Sequence, residues 1–307
     1  YDSRNDLEDL LQDQVVDLLI IAVPNIPASR KKQVVDTCLK YNVRVLHVPP
    51  MSKWINGELS MNQIREVKIE ELLERDPIQL DNERISKQLI GKRILITGAA
   101  GSIGSEIARQ VAGFNPQKLF LLDQAETPLF ELQQELKGEL PGEKFEVVIG
   151  DVRNKERMEN IISSLMPHII YHAAAYKHVP MMEDNPSESL LTNVQGTMVC
   201  ADLAVKYDVE NFVFVSTDKA VNPTNVMGAS KRIAEIYVQS LNQFLTEKNI
   251  EPNTHFITTR FGNVLASNGS VIPRFRAQIE RGGPVTVTHP EITRYFMTIP
   301  EACQLVL

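Results

Sequence analysis

Apolar positions recur along this chain with two alternating periods. The run 93–97, Arg-Ile-Leu-Ile-Thr, is short, apolar and β-rich, and predicts a strand. The stretch 102–113 places Ile103, Ile107 and Val111 on one helical face. A second strand is expected at 118–123, followed by a helix with Leu129, Leu132, Leu136 and Leu140 at helical spacing. Further strands are expected at 145–150, 169–173, 211–216 and 255–260, with helical segments between them. Strand and helix in strict alternation imply a parallel sheet covered on both faces, and right-handed crossovers make it doubly wound. Ahead of this lies a smaller pattern: an apolar run at 15–23 closed by Pro24, a helix at 29–41, and a run at 43–48 ending at Pro49-Pro50. That is one βαβ unit, too small for a comfortable domain. The charged stretch 74–92 reads as a connector, and 301–307 as a helix still in progress, so a fragment of a longer protein is expected.

Composition narrows the classes. The 307 residues are 43% hydrophobic, enough to bury a core. A formal charge of −7 argues against a general nucleic-acid binder, which needs basic surface, but not against a local phosphate site. Cys38, Cys200 and Cys303 are far apart and show neither disulfide nor metal-ligand spacing; buried thiols in a reducing compartment are expected. No signal peptide and no membrane-spanning apolar run is visible.

The first strand of the main pattern leads into Gly98-Ala99-Ala100-Gly101-Ser102-Ile103-Gly104. Glycines at this spacing let backbone N–H groups approach a pyrophosphate, and the following helix directs its positive end at the anion. The strand-turn-helix context is the one a dinucleotide-binding turn requires. Asp123 ends the second strand, where a carboxylate accepts hydrogen bonds from the adenosine ribose and repels a 2′-phosphate; this favours NAD, with NADP possible. Asp151-Val152, after the third strand, is expected to meet the adenine, and Ala173-Ala174-Ala175 to floor the cofactor's inner half.

The strand at 211–216 runs into Ser216-Thr217-Asp218-Lys219-Ala220, and Met227-Gly228-Ala229-Ser230-Lys231 follows. With these residues the chain, over 92–300, resembles the extended short-chain dehydrogenase/reductases, and within them the nucleotide-sugar 4,6-dehydratases of bacterial polysaccharide biosynthesis, especially the large membrane-anchored subfamily. The other matching stretches include His172-Ala173-Ala174-Ala175-Tyr176-Lys177-His178, Thr192-Asn193-Val194-Gln195-Gly196-Thr197, Arg260-Phe261-Gly262-Asn263-Val264 and Thr293-Arg294-Tyr295-Phe296. The implied fold is a Rossmann-type α/β doubly wound sheet at 92–307, C-terminally truncated, preceded by a partial α/β nucleotide-binding-like domain at 1–75 and a linker at 76–91.

The resemblance implies a four-step reaction on a UDP-N-acetylhexosamine: hydride leaves C4 for NAD, a base removes the C5 proton, the C6 hydroxyl leaves as water, and the hydride returns to C6. It makes Asp218 the acid at C6 and Lys219 the base at C5, which requires Asp218 protonated and Lys219 neutral; partial burial would push both that way. It places Asn193 and Lys231 at the cofactor, Lys231 on the nicotinamide ribose. Met227 stands where most of the superfamily has the Tyr that takes the C4 proton, which leaves that base open among Lys231, Thr217 and a bound water. Lys177, Asn263, Arg274 and Arg294 are expected near the diphosphate or sugar, and His178 is as readily a rim histidine.

The leading expectation is a C5-retaining UDP-N-acetylglucosamine 4,6-dehydratase of capsule or O-antigen biosynthesis. The alternatives are the C5-inverting dehydratase, a nucleotide-sugar 4-epimerase, and a non-catalytic NAD(P)-binding sensor. No metal is expected, and a homo-oligomer is. The resemblance also implies a parent protein anchored at the cytoplasmic face of a bacterial inner membrane, with this chain a soluble part of it.

Overall fold

The computed structural model describes residues 6–13, 15–23, 26–41, 43–48, 65–66, 82–138, 140–248, 254–265, 267, 271–287, 289, 291 and 295–307. The chain divides into two compact units, Tyr1–Ile78 and Gln79–Leu307.

The first unit contains α1 (Asp6–Asp13), β1 (Leu18–Ile21), α2 (Ala28–Lys40), β2 (Arg44–His47) and β3 (Arg65–Glu66). β1 and β2 pair in parallel, as a crossover through α2 requires, and β3 adds antiparallel to β2. Leu11, Cys38 and Val43 form its buried cluster.

The second unit opens with α3 (Asn82–Leu89), inside the stretch expected to be linker. Its sequence is polar overall, but Ile85 and Leu89 lie one turn apart and are both buried in the main core, so tertiary burial fixes a helix there. Then come β4 (Arg93–Thr97), α4 (Ser102–Ala112), β5 (Lys118–Asp123), α5 (Glu126–Leu136), β6 (Phe145–Ile149), α6 (Lys155–Leu165) and β7 (Ile169–His172). Two short helices, α7 (Val179–Asp184) and α8 (Pro186–Ser189), lead through a π-helical turn (Leu190–Gln195) into α9 (Gly196–Lys206). β8 (Asn211–Thr217), a 3-10 turn (Asp218–Ala220), α10 (Val226–Lys248) and β9 (His255–Phe261) complete the sheet. β10 (Asn263–Val264), α11 (Val271–Glu280), β11 (Phe296–Met297) and α12 (Ile299–Gln304) follow. The expected helix at 301–307 therefore starts earlier, under a capping box between Thr298 and Glu301, and stops at Gln304.

The six strands lie in the order β6-β5-β4-β7-β8-β9, all parallel. Strand pleat sends alternate side chains to opposite faces. Ile94, Ile96, Leu119 and Leu121 enter one core with residues of α3, α4, α5 and α12. Leu95, Phe120, Leu122, Phe212 and Phe214 enter the other, with residues of α6, α9 and α10. The order of connection reverses between β4 and β7, so their carboxyl ends splay apart and open a crevice there. Cys200 and Cys303 are buried and unpaired, as is Cys38. Among the described residues no helix is long and apolar enough to cross a membrane.

Candidate active site

At the end of β4 the chain turns through Gly98 with φ +69°, a conformation that strains any residue with a Cβ. A Cβ there would also stand 2.5 Å from the Ala174 nitrogen, so the turn packs backbone to backbone against the loop after β7. A Cβ on Gly104 would stand 2.1 Å from the Gly98 carbonyl oxygen, so only glycine lets α4 start this close to the turn. The result is a bare N-terminal helix end facing the crevice, able to hold a pyrophosphate.

Asp123 ties this turn down. One carboxylate oxygen accepts the Ala100 N–H at 3.0 Å, and the other accepts the Ala125 N–H at 2.9 Å at the entry to α5. Each oxygen keeps a lone pair for a ribose hydroxyl, and Asp123 lines the crevice. Asp151 lines it too, gripped by Arg153, whose guanidinium also reaches Glu188 at 2.8 Å. Hydrogen bonds from Arg153 hold the Asp151 carboxyl below its usual range. Gly98, Gly101, Val152, Ala173, Ala174, Ala175 and Thr192 complete this half.

Thr192 sits on the π-helical turn, 5% exposed, and its hydroxyl has no hydrogen-bond partner. A buried hydroxyl left unpaired costs about 1–3 kcal/mol, and π-turns concentrate at functional sites. The next residue, Asn193, is fully buried. Its amide accepts the Tyr176 N–H at 2.8 Å and donates to the Tyr176 carbonyl at 3.0 Å and the Ser230 hydroxyl at 2.9 Å.

The crevice continues over Ser102, Ile103, Gly104, Tyr176, Lys177, His178, Thr217, Lys219, Met227, Lys231 and Asn263. Met227 and Lys231, one helical turn apart on α10, are both 4% exposed. The Lys231 ammonium lies 4.0 Å from the Phe214 ring centroid. Burial lowers its pKa to about 7, against the pull of Glu235. Beneath it, fully buried His172 has a pKa lowered to about 3 by burial and the Lys231 charge. Thr197 donates to the Asn193 carbonyl at 2.7 Å, so it must accept from His172 Nε2 at 3.1 Å; His172 Nδ1 then accepts from Thr97 at 2.7 Å. The histidine is thus neutral and protonated on Nε2, a strut joining β4, β7 and α9.

Lys219 lines the same crevice and is paired with Asp218, which is not among the lining residues. The Lys219 ammonium donates to Asp218 Oδ1 and to Asn263 Oδ1, each at 3.1 Å, and the Thr217 hydroxyl donates to Asp218 Oδ1 at 2.9 Å. Gly228 fixes the approach of α10, because a Cβ there would lie 2.4 Å from the Lys219 carbonyl oxygen. The site thus gathers a glycine turn at a helix N-terminus, a carboxylate with free lone pairs, an amine whose pKa lies near neutrality, and a hydrogen-bonded carboxylate–ammonium pair.

The family model for polysaccharide biosynthesis proteins matches residues 94–307. The chain belongs to the polysaccharide biosynthesis protein family. Among relatives of this polysaccharide biosynthesis protein, the capsular polysaccharide biosynthesis protein CapD of Staphylococcus aureus is 49% identical over 98% of this chain and 50% of its own. The chain spans about half the length of the first curated relatives it matches. A UDP-glucose 4-epimerase of Rickettsia canadensis and an inverting UDP-N-acetylglucosamine 4,6-dehydratase of Campylobacter jejuni are each 34% identical over 71% of the chain, and 62% and 63% of their own. Among solved structures, Pen from Bacillus thuringiensis is 35% identical with a TM-score of 0.65, over 71% of this chain and 64% of that one. The fold is that of the extended short-chain dehydrogenase/reductases, as the sequence motifs imply.

In this family member the expected site residues fall into three groups. The glycines, Ser102, Ile103, Asp123, Asp151, Val152, the three alanines, Lys177, Thr217, Lys219, Met227, Lys231 and Asn263 line one crevice. Asn193 and Asp218 are not among the lining residues; Asn193 braces Tyr176, and Asp218 accepts a hydrogen bond from Lys219. Arg274 is exposed on α11 and is not among the lining residues, and Arg294 lies outside the described residues. Lys219 is partly buried and Asp218 more exposed, their side chains 34% and 44% exposed, and the two form an ion pair on the 3-10 turn at the rim of the crevice. Lys177 and His178 stand on that rim, and loss of surrounding water lowers the pKa of both. Thr192 and Tyr176 are among the lining residues that the motifs did not single out; both lie in the quoted motifs, but nothing in their side-chain type announces a contact.

Proposed function

We propose that this protein is a nucleotide-sugar 4,6-dehydratase that holds NAD in the crevice and acts on UDP-N-acetylglucosamine with retention at C5. The observation that carries the reading is Lys219, hydrogen-bonded to Asp218, lining the same crevice as Lys231 and the glycine turn. NAD fits the residues present: the Gly98 turn leaves space for a pyrophosphate, Asp123 has lone pairs for the ribose, and the Thr192 hydroxyl lacks a partner. When bound, it supplies hydride acceptance at C4 and hydride return at C6.

The protein's own groups handle the protons. With C4 oxidised, the C5 proton is acidic enough for an amine to remove. Lys219 is that base and Asp218 the acid for the departing C6 hydroxyl. Transfer of one proton along the 3.1 Å Lys219–Asp218 hydrogen bond converts the ion pair into the neutral amine and carboxylic acid those roles need. A sugar closing over the rim excludes water, and a drier site favours the neutral pair. Asn263 holds Lys219 in place from the other side. Met227 cannot accept the C4 proton, which leaves that role among Thr217 and Lys231, both lining the crevice, and a bound water. A 4-epimerase requires no acid at C6 and gives the Asp218–Lys219 pair no task. The whole protein is proposed to work at the cytoplasmic face of a bacterial inner membrane.

The test is mass spectrometry of UDP-N-acetylglucosamine after incubation with the full protein in heavy water. Loss of one water with gain of one deuterium is expected, and NMR of that product reads C5. An unchanged mass with an isomerised sugar would replace this reading with an epimerase.

A further inference from the structure

Outside the residues that line the crevice, α10 and β9 share a charge arrangement that the dehydration chemistry does not use. Glu235, one helical turn beyond Lys231 on α10, is 0% exposed. Its carboxylate accepts two hydrogen bonds from Arg260 of β9, at 2.7 and 2.6 Å, and one from Arg232 at 3.1 Å. A fully buried carboxylate is costly, and a carboxylate that only served Arg260 could do so at the surface, where Arg260 and Arg232 themselves reach: their side chains are 34% and 37% exposed.

The groups around Lys231 explain the burial. From β7 comes His172, neutral above pH about 3 and so no counter-charge. From β8 comes the Phe214 ring. From the turn after β8 come Lys219 and Asp218, already paired with each other. The π-turn contributes the uncharged Asn193, spent on Tyr176 and Ser230. Arg260 from β9 and Arg232 on α10 are cations and would repel the ammonium if left without their carboxylate. Glu235 is the negative group these surroundings leave for Lys231, and it neutralises the nearby arginines at the same time.

We infer that Glu235 is a positioning residue for Lys231: clamped by Arg260 and Arg232, it supplies the negative charge, one turn along α10, that favours the ammonium form of the buried amine at the cofactor wall. The inference rests on the reading of Lys231 as the group that holds the nicotinamide ribose. The same clamp joins α10 to β9.

The experiment is a titration of the Lys231 side chain by NMR in the full protein made with labelled lysine, its signal assigned by its loss in Lys231→Met. It needs neither cofactor nor turnover. In Glu235→Gln the Lys231 midpoint is expected to fall by about one pH unit or more, because a carboxylate one helical turn away is removed and two cations are uncovered. Should Glu235→Gln fail to fold, Glu235→Gln/Arg260→Gln removes one charge of each sign; its midpoint is expected to stay below that of the parent. Glu235→Asp is expected to return it most of the way. NAD affinity near pH 8 should fall several-fold in Glu235→Gln and recover toward pH 6. A folded variant of either kind with an unmoved Lys231 midpoint overturns the inference and leaves Glu235 a structural brace. A moved midpoint in a protein that turns over no nucleotide sugar leaves the inference standing and removes the dehydratase reading.

Discussion

Gly98 offers a graded test of how the crevice is built, because two other glycines separate the terms that act on it. Gly142 has an ordinary φ and open space around it; Gly91 has φ +71° and open space; Gly98 has φ +69° and the Ala174 backbone 2.5 Å from where a Cβ would stand. Alanine at Gly142 should change stability by no more than about 0.5 kcal/mol. At Gly91 the left-handed conformation alone should cost about 1–2 kcal/mol. At Gly98 the same strain adds to an overlap that only backbone movement can relieve, about 1–3 kcal/mol more, for a total of about 2–5 kcal/mol. Urea unfolding read by hydrogen exchange in β4 and β7 reports the second unit separately from the first. NAD titration of the same proteins should show a loss of more than tenfold for Gly98→Ala and little change for the other two, since a displacement of the anion cradle that costs about 1.4 kcal/mol is already tenfold. A Gly98→Ala protein no less stable than Gly91→Ala would refute the close packing of the turn on the loop after β7.

Thr192→Val removes a buried hydroxyl that has no partner, so the cofactor-free protein should gain about 1 kcal/mol while NAD binds several-fold more weakly; a loss of stability would mean that the hydroxyl is already satisfied. Asp123→Ala should weaken NAD about 10- to 100-fold and NADP less, measured by titrating both, and equal losses would remove Asp123 from the ribose. Lys231 has a folded pKa of about 7, below the 10.5 of a free lysine, so between these values the unfolded chain binds more protons and stability rises with pH. The urea midpoint of the parent should therefore gain on that of Lys231→Met from pH 7 to pH 10, and a constant gap would show that Lys231 is not desolvated. Lys219→Ala should lower turnover by about 10²- to 10⁴-fold with NAD affinity kept, and normal turnover would remove it as the essential base.

Much of the second unit was legible because its strands are apolar on both sides and its helices amphipathic, so the two periods separate cleanly. Strand 93–97 and strand 118–123 are the clearest cases. What stayed hidden depended on neighbours distant in sequence. The helix at Asn82–Leu89 has two apolar residues in a charged segment, and only the main core gives them a place. The cofactor end of the site could be read from the glycines and Asp123, since backbone geometry dictates those residue types. The π-turn could not, because its extra residue per turn leaves no mark in composition; with it went the inward aim of Thr192 and the outward brace of Asn193. Exposure of Asp218 was equally invisible, as it depends on the 3-10 turn that carries it. The burial of Glu235 depends on Arg260, twenty-five residues away and on another strand.

The most direct test of the central claim uses UDP-N-acetylglucosamine carrying deuterium at C4. Incubated with the full protein, it should yield a 4-keto sugar that has lost water and has the deuterium at C6, because one bound cofactor takes the label from C4 and returns it within the same turnover. Deuterium retained at C4 of an isomerised sugar, or a sugar unchanged while NAD is demonstrably bound, would contradict it.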